Sequence, residues 1–480
     1  MRSRLGGFDR PRRWRACHGH RPIVRGTIVR ASLGITLSLL MSFSAQAQVF
    51  VPSAGDTSPV GGRLADRRHM PAPELPSGTG PMIETIRGVL GGNVQNLPDV
   101  PLSAISTMRV KPFPDRHVPR IFWYFSDGLQ LVVFKQDKPA PLVFVVAGTG
   151  SSGESPTTQI LGRLLYARGM NVVIIPSPSH PQFVVTASKT FVPGIMQTDA
   201  EDLLRVMEMA KAQLAHEMQV TGYKLVGFSL GAMHAAFVGE LDSRQHVFDF
   251  NSVVLINPPD RLDHSISLID NMLQRYTERD PAAVDRFIKT VFAGFAQVYA
   301  QSPTSDLSPE VFYRAFALFQ NRFDLLEMLI GLSFRISVAN LAFTSDVMTH
   351  SGVFIPADAR PGITNSLTDV FKVSLDHTLR DYVEGLALPY LARHPELVPP
   401  ASIGHSLLEQ ASLRHIGAYL SHTPTVGAIT NRDDIILAPG DLNDMQAILG
   451  DRLTVLPSGG HGGSIGRQDF NAAFDRMIGQ

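Results

Sequence analysis

Four short, largely apolar runs, at residues 141–147, 171–175, 223–226 and 251–257, restrict what this chain can fold into more than any other feature. They are continuous rather than alternating, so as strands they need cover on both faces. Between them lie stretches with helical spacing, such as Ile160, Leu161, Leu164 and Leu165 within residues 157–168, and residues 198–217. Strand and helix in alternation predict a parallel α/β sheet, whose ligands bind beyond the carboxyl ends of the strands. Two β-rich runs, 120–125 and 129–134, flank Ser126-Asp127-Gly128 and predict the first antiparallel strands.

The third run leads directly into Gly227-Phe228-Ser229-Leu230-Gly231, and Ala232-Met233-His234-Ala235-Ala236 then starts a helix. A serine between strand and helix must adopt a strained backbone, and the flanking glycines remove Cβ atoms that would collide with the neighbouring elements. Strain of this kind pushes Oγ of Ser229 into open space, with the N–H of Leu230 aimed where an oxyanion would develop.

The pattern resembles the nucleophile elbow of α/β-hydrolases. In that superfamily the acid and the base follow the nucleophile in the order Ser, Asp/Glu, His. The chain supplies both in that order: the run 425–430 ends at Asn431-Arg432-Asp433-Asp434-Ile435-Ile436, and Leu453-Thr454-Val455-Leu456 leads to Ser458-Gly459-Gly460-His461-Gly462-Gly463. Family members carry D-x-I/V-V-P past this strand, which aligns Asp433 with the acid and leaves Asp434 as the alternative; Leu437 stands where the proline would be. His461, bracketed by glycines in a flexible loop, is the expected general base.

The resemblance also implies a second oxyanion donor in the loop after the strand 141–147, Gly148-Thr149-Gly150-Ser151, with Thr149 as the donor and Gly150 as the alternative. Gly148, Gly150 and Gly153 fit G-x-G-x-x-G as well. Against nucleotide binding, the next strand ends in Pro176-Ser177-Pro178-Ser179, with no acidic group for a ribose, and no Gly-Lys-Ser/Thr follows at P-loop spacing.

From residue 258 to 423 no convincing strand occurs, and residues 282–301, 309–348, 368–392 and 406–422 read as mainly helical. This is where α/β-hydrolases carry a cap. The expected fold is therefore an α/β-hydrolase fold, a mostly parallel central sheet flanked by helices, with a core at 82–260 and 423–480 and a helical cap at 261–422. The cap's apolar faces serve its own core or an acyl-binding cleft, with Met328, Met348 and residues 334–343 as candidate lining.

Residues 1–30 hold nine arginines against one acid, Asp9, and precede an apolar run at 33–41 and Ala45-Gln46-Ala47. That is the pattern of a signal peptide cleaved after Ala47, with a Pro-, Gly- and Ser-rich linker at 48–81 and a periplasmic or secreted product. Removal takes nine of the 43 basic side chains and one of the 43 acidic ones, a formal balance of −8. An acidic surface disfavours nucleic acid. Cys17, the only cysteine, lies inside the signal, and the histidines never form H-x-x-x-H, so neither a metal nor another cofactor is expected. The resemblance implies an exported serine hydrolase of the carboxylesterase or lipase kind, acting on a small-molecule or lipid-like acyl substrate through an acyl-enzyme, with no stable membrane span after cleavage. A peptidase, thioesterase or acyltransferase shares the chemistry up to that intermediate, and a non-catalytic binding protein shares the fold.

Overall fold

The computed structural model describes residues 80–89, 97–280, 321–355, 376–398 and 410–479, with scattered positions between 282 and 293. The expected signal at 1–47, nearly all of the linker at 48–81 and most of the helix expected at 282–301 lie outside the described residues.

Eight strands form one sheet: β1 (Ile105–Val110), β2 (Leu129–Phe134), β3 (Ala140–Val146), β4 (Asn171–Ile175), β5 (Val220–Phe228), β6 (Ser252–Ile256), β7 (Val426–Asn431) and β8 (Leu453–Leu456). Their order is β1-β2-β4-β3-β5-β6-β7-β8, antiparallel from β1 to β4 and parallel from there on. With helices on both faces, this is the α/β-hydrolase fold.

The helices are α1 (Pro81–Val89), α2 (Pro156–Ala167), α3 (Pro181–Thr186), α4 (Met196–Leu214), α5 (Leu230–Gln245), α6 (Leu262–Thr277), α7 (Phe323–Thr349), α8 (Leu379–Tyr382), α9 (Leu388–Arg393), α10 (Gly417–His422), α11 (Asp441–Leu449) and α12 (Gln468–Ile478). Strand alternation divides the core between the two faces. Leu142, Phe144 and Val146 of β3 pack with α4 and α5, and Val143 and Val145 pack with α2 and α12. All five are wholly buried, and each such side chain contributes roughly 1.5–3 kcal/mol relative to an exposed one.

One expected strand is not a strand. Arg120–Phe125 forms a 3₁₀ turn, kinked at Phe122 after Pro119, with Ile121 and Phe122 buried and Trp123 and Tyr124 exposed. Its β-rich composition is overridden by tertiary context, because the neighbour of β2 is already taken. Ile105–Val110 pairs there instead, and its Ser106, Thr107 and Arg109 suit an edge that is half exposed.

Between β6 and β7 the described residues form helices and loops and no strand. The segment leaves and returns at one point, since Arg261 bridges Ser412, the Leu262 N–H donates to Ala411 O and the Leu413 N–H donates to Asp260 O. Its longest element among the described residues, α7, has two environments. Leu325, Met328, Leu329, Leu332 and Ile336 pack with Leu273 of α6 in a separate cluster, whereas Val338, Leu341, Phe343 and Met348 join the core above the sheet. Met328 is thus packing in that cluster, while Met348 also edges an open depression beside Phe113, Arg116, Phe191 and His350 that contains none of the expected site residues. By length and composition α7 could cross a bilayer, yet 78% of its most apolar window is buried in the protein. It is fastened to α6 by the buried pair Arg335–Asp270 at 3.1 Å and by the Tyr276 hydroxyl donating to Glu327 at 2.6 Å.

Candidate active site

Ser229 lies at the carboxyl end of β5 and is the residue before α5, with φ 57° and ψ −126°. A non-glycine residue held there carries about 1–3 kcal/mol of strain, which the surrounding structure must over-determine. It does so in two ways. The Ser229 N–H donates to Ile256 O at the end of β6 at 2.9 Å. The two flanking glycines allow contacts that no side chain would: a Cβ on Gly227 would sit 2.1 Å from Gly231 O, and one on Gly231 would sit 2.3 Å from Val146 O of β3.

His461 reaches this serine from the loop after β8. Its Nε2 is 2.8 Å from Ser229 Oγ, and its ring lies against Phe228, with centroids 5.3 Å apart. On the other side, Nδ1 is 3.0 Å from Oδ1 and 3.2 Å from Oδ2 of Asp434. Serine hydroxyl, imidazole and carboxylate form one hydrogen-bonded line.

The carboxylate in that line is Asp434 and not Asp433, which corrects the alignment favoured from the sequence. The reason is a turn. β7 ends at Asn431, and the Asp434 N–H folds back onto Asn431 O at 3.2 Å, so the chain reverses over Arg432 and Asp433. Asp434 is thereby carried back over the sheet end, its side chain wholly covered, and Asp433 is left on the flank, where Oδ1 accepts from the Gly460 N–H at 3.0 Å. Asp433 braces the histidine loop without touching the imidazole.

Asp434 is itself held by groups that the sequence did not single out. Oδ2 accepts from Asn257 Nδ2 at 2.7 Å and from the Thr430 hydroxyl at 3.4 Å, and Oδ1 accepts from the Ile436 N–H at 3.2 Å. Donors of this kind fix the plane of the carboxylate. Asn257, at φ 47°, directly follows β6, and a polar residue closing an apolar run just before Pro258-Pro259 was the available signal.

The loop after β3 abuts Ser229, since a Cβ on Gly148 would lie 3.3 Å from Ser229 Cβ. It turns through Thr149 and Gly150: the Ser151 N–H donates to Gly148 O at 3.0 Å, with Gly150 at φ 64°. The N–H of Gly150 is committed, donating to Ser179 Oγ at 2.9 Å, and Ser179 Oγ is 2.9 Å from Ser177 Oγ. So of Thr149 and Gly150, the second is engaged by a buried serine pair at the end of β4. Beyond it, His180 is buried and pushed down to about 4, hence neutral, with Nδ1 accepting from the Gln182 N–H. From above, α7 closes on the same loop, and Ser337 Cβ would be 2.9 Å from a Cβ on Gly150.

Ser229, Thr149 and His461 are partly exposed, whereas Leu230 and Asp434 are buried. The Ser229 hydroxyl is therefore accessible while Asp434 is kept from water. Among the described residues the only group of carboxylates spaced for a metal ion, Asp260, Asp441 and Asp444, is engaged by Arg414 and His264.

No protein-family model matches the sequence, and a search of curated proteins finds no match. Among solved structures, the chain is similar to Est1E from Butyrivibrio proteoclasticus at 14% identity and a TM-score of 0.20, over 28% of this chain and only 48% of that one. It is similar to an esterase from Pyrobaculum calidifontis at 15% identity and a TM-score of 0.35, over 82% of this chain and 90% of that one. To one of a set of α/β-hydrolase epoxide hydrolases from metagenomes of hot environments it is similar at 15% identity and a TM-score of 0.34, over 78% and 98%.

Proposed function

We propose that the protein is a serine hydrolase that cleaves carboxylic esters through an acyl-enzyme. The observation that carries this reading is the unbroken line from Ser229 Oγ through His461 to Asp434, built on a strained turn with the hydroxyl accessible. In the first half-reaction Ser229 Oγ bonds to the acyl carbon as its proton passes to His461 Nε2, and Asp434 holds Nδ1–H in place and stabilises the imidazolium. The oxyanion is met by the N–H of Leu230, which as the first residue of α5 has no acceptor within its own helix, and by the N–H of Thr149. The C–O bond to the alcohol then breaks, and the leaving oxygen takes the proton from Nε2. Water repeats the sequence in reverse, giving the acid and free Ser229.

The helical segment between β6 and β7, a cap under this reading, shapes the acyl-binding side. Export, with cleavage after Ala47, belongs to the same proposal, and the intact mass of protein recovered from a periplasmic fraction checks it. The test of the chemistry is labelling with a fluorophosphonate beside Ser229→Ala, with the adduct mapped by mass spectrometry and turnover of p-nitrophenyl butyrate followed. An adduct on Ser229 alone, and turnover lost in a variant that stays folded, are expected. Wild-type turnover by Ser229→Ala would end the assignment.

A further inference from the structure

The glycines around His461 suggest from sequence a loop free to move, but α1 lies pressed against them. A Cβ on Gly460 would sit 2.1 Å from Pro81 O, and one on Gly463 would sit 2.3 Å from Glu84 O. A Cβ on Gly88, in the helix itself, would sit 2.7 Å from Gly462 C. These are backbone-to-backbone contacts, for which glycine is required on both sides of the interface. At its centre Thr85 Oγ1 accepts from the His461 N–H at 2.8 Å and donates to Pro81 O at 2.7 Å. Thr85 is buried, so both bonds are shielded from competing water.

The opposite side of α1 is apolar and anchored elsewhere. Met82 packs with Met272 of α6 and Leu326 of α7, and Ile83 and Ile86 pack against the same group beside Ile435, the residue after Asp434. One short helix thus bears on the loop of the base, on the loop of the acid and on the helical segment above the sheet.

We propose that α1 is a strap and that Thr85 is a positioning residue which sets the place of the His461 backbone, and through it the register of the imidazole between Ser229 and Asp434. This rests on the reading of His461 as general base. Thr85 touches neither substrate nor reacting atoms; it acts through the main chain of His461. Two other anchors hold the loop, the Asn431 Nδ2 donating to Gly460 O at 2.7 Å and Asp433 accepting from the Gly460 N–H, and both act one residue before the histidine. Only Thr85 among these holds the N–H of His461 itself. A displacement of about 1 Å at a catalytic group can cost up to about a hundredfold in rate.

The experiment compares Thr85→Val, Thr85→Ala and Thr85→Ser with Met82→Ala in the full chain, using p-nitrophenyl butyrate. Turnover is taken per site titrated with a fluorophosphonate, so that any unfolded fraction drops out, and the thermal midpoint is recorded for each. Expected are a kcat lowered about tenfold or more in Thr85→Val and Thr85→Ala with KM within about twofold, and recovery to within about twofold in Thr85→Ser. Met82→Ala should lower the midpoint and leave kcat per site alone. If Thr85→Val and Thr85→Ala also turn over at the wild-type rate per site, the hydroxyl only stabilises the fold and the proposal is overturned. Ser229→Ala run alongside separates the two levels of argument: its survival would sink the hydrolase reading, whereas its loss with unimpaired Thr85 variants would sink only the positioning role.

Discussion

The two adjacent aspartates at the end of β7 should respond to the same substitution by very different amounts. In Asp434→Asn one oxygen becomes an NH2 group, and the pocket has no room for a second donor. If the amide nitrogen takes the place of Oδ1, it faces the Ile436 N–H, formerly 3.2 Å from a carboxylate, and the Nδ1 of His461. Nδ1 must then act as acceptor, the ring proton moves to Nε2, and the nitrogen that should take the proton of Ser229 already carries one. If the amide nitrogen takes the place of Oδ2, it meets Asn257 Nδ2 where the acceptor stood at 2.7 Å, which forces Asn257 to turn over. The first arrangement yields the wrong tautomer, the second a rearranged support, and neither leaves a negative charge beside an imidazolium.

Loss of the acid's charge and of the tautomer in a Ser-His-Asp system costs about 10⁴ in kcat, or roughly 5 kcal/mol of transition-state stabilisation. For Asp434→Asn we expect a fall of about 10³–10⁴, with KM changed little. Asp433→Asn keeps an oxygen for the Gly460 N–H and should remain within about threefold of wild type, because that bond is worth about 1 kcal/mol and its acceptor survives. The assay is steady-state hydrolysis of p-nitrophenyl butyrate, with circular dichroism and a thermal midpoint to show that both variants fold. A large loss in Asp433→Asn beside a mild one in Asp434→Asn would refute the argument from the turn.

Two further outcomes follow from buried polar groups, one beside the site and one in α4. Ser179→Ala removes the acceptor of the Gly150 N–H and releases the turn that presents Thr149, so kcat and the rate of fluorophosphonate labelling should fall together about tenfold with KM nearly constant; an unchanged labelling rate would mean that the turn is held by other contacts. In α4, burial pushes Asp202 up to about 7, against the opposing pull of the Lys189 N–H and of Arg205. Since its carboxyl holds a proton in the folded chain at pH values where the unfolded chain has lost it, this group's contribution to stability is present below about pH 4 and lost as pH rises toward about 7. Asp202→Asn should accordingly gain stability relative to wild type across that window in urea unfolding at a series of pH values, and a difference that does not vary with pH would contradict the shift.

The parts legible in the sequence are those in which one local signal has one structural solution. Continuous apolar runs such as Val143 to Val146 needed cover on two faces and received it, and the glycines at 227 and 231 stand where a Cβ could not. Signals with two local solutions went astray. Residues 120–125 are as β-rich as 129–134, and only the pairing of β2 with Ile105–Val110 decides between them. Asp433 and Asp434 both follow the strand, and the turn on Asn431 O decides which faces the imidazole. Thr85 was beyond reach: a threonine inside a short helix has no local mark of a partner at position 461.

The strand order explains why so much structure is spent on one histidine. Ser229 stands at the end of β5, and β6, β7 and β8 follow in order beside it, the first two supplying Asn257 and Asp434. Strands lie about 4.8 Å apart, so the end of β8 is roughly 14 Å from the serine. An imidazole together with its 2.8 Å hydrogen bond to Ser229 spans about half of that distance from its own Cα, so the loop after β8 must lean back across the ends of β7 and β6 by the remainder. A loop that leaned so far unaided would lose in entropy what the hydrogen bond to Ser229 returns. The bonds from Asn431 and Asp433 hold it from the sheet side, and the backbone of α1 presses on Gly460 and Gly463 from the other. The glycine cluster is therefore a seat for a helix, and the segment before the sheet is as much a part of the site's construction as the strands that carry Ser229, Asn257 and Asp434.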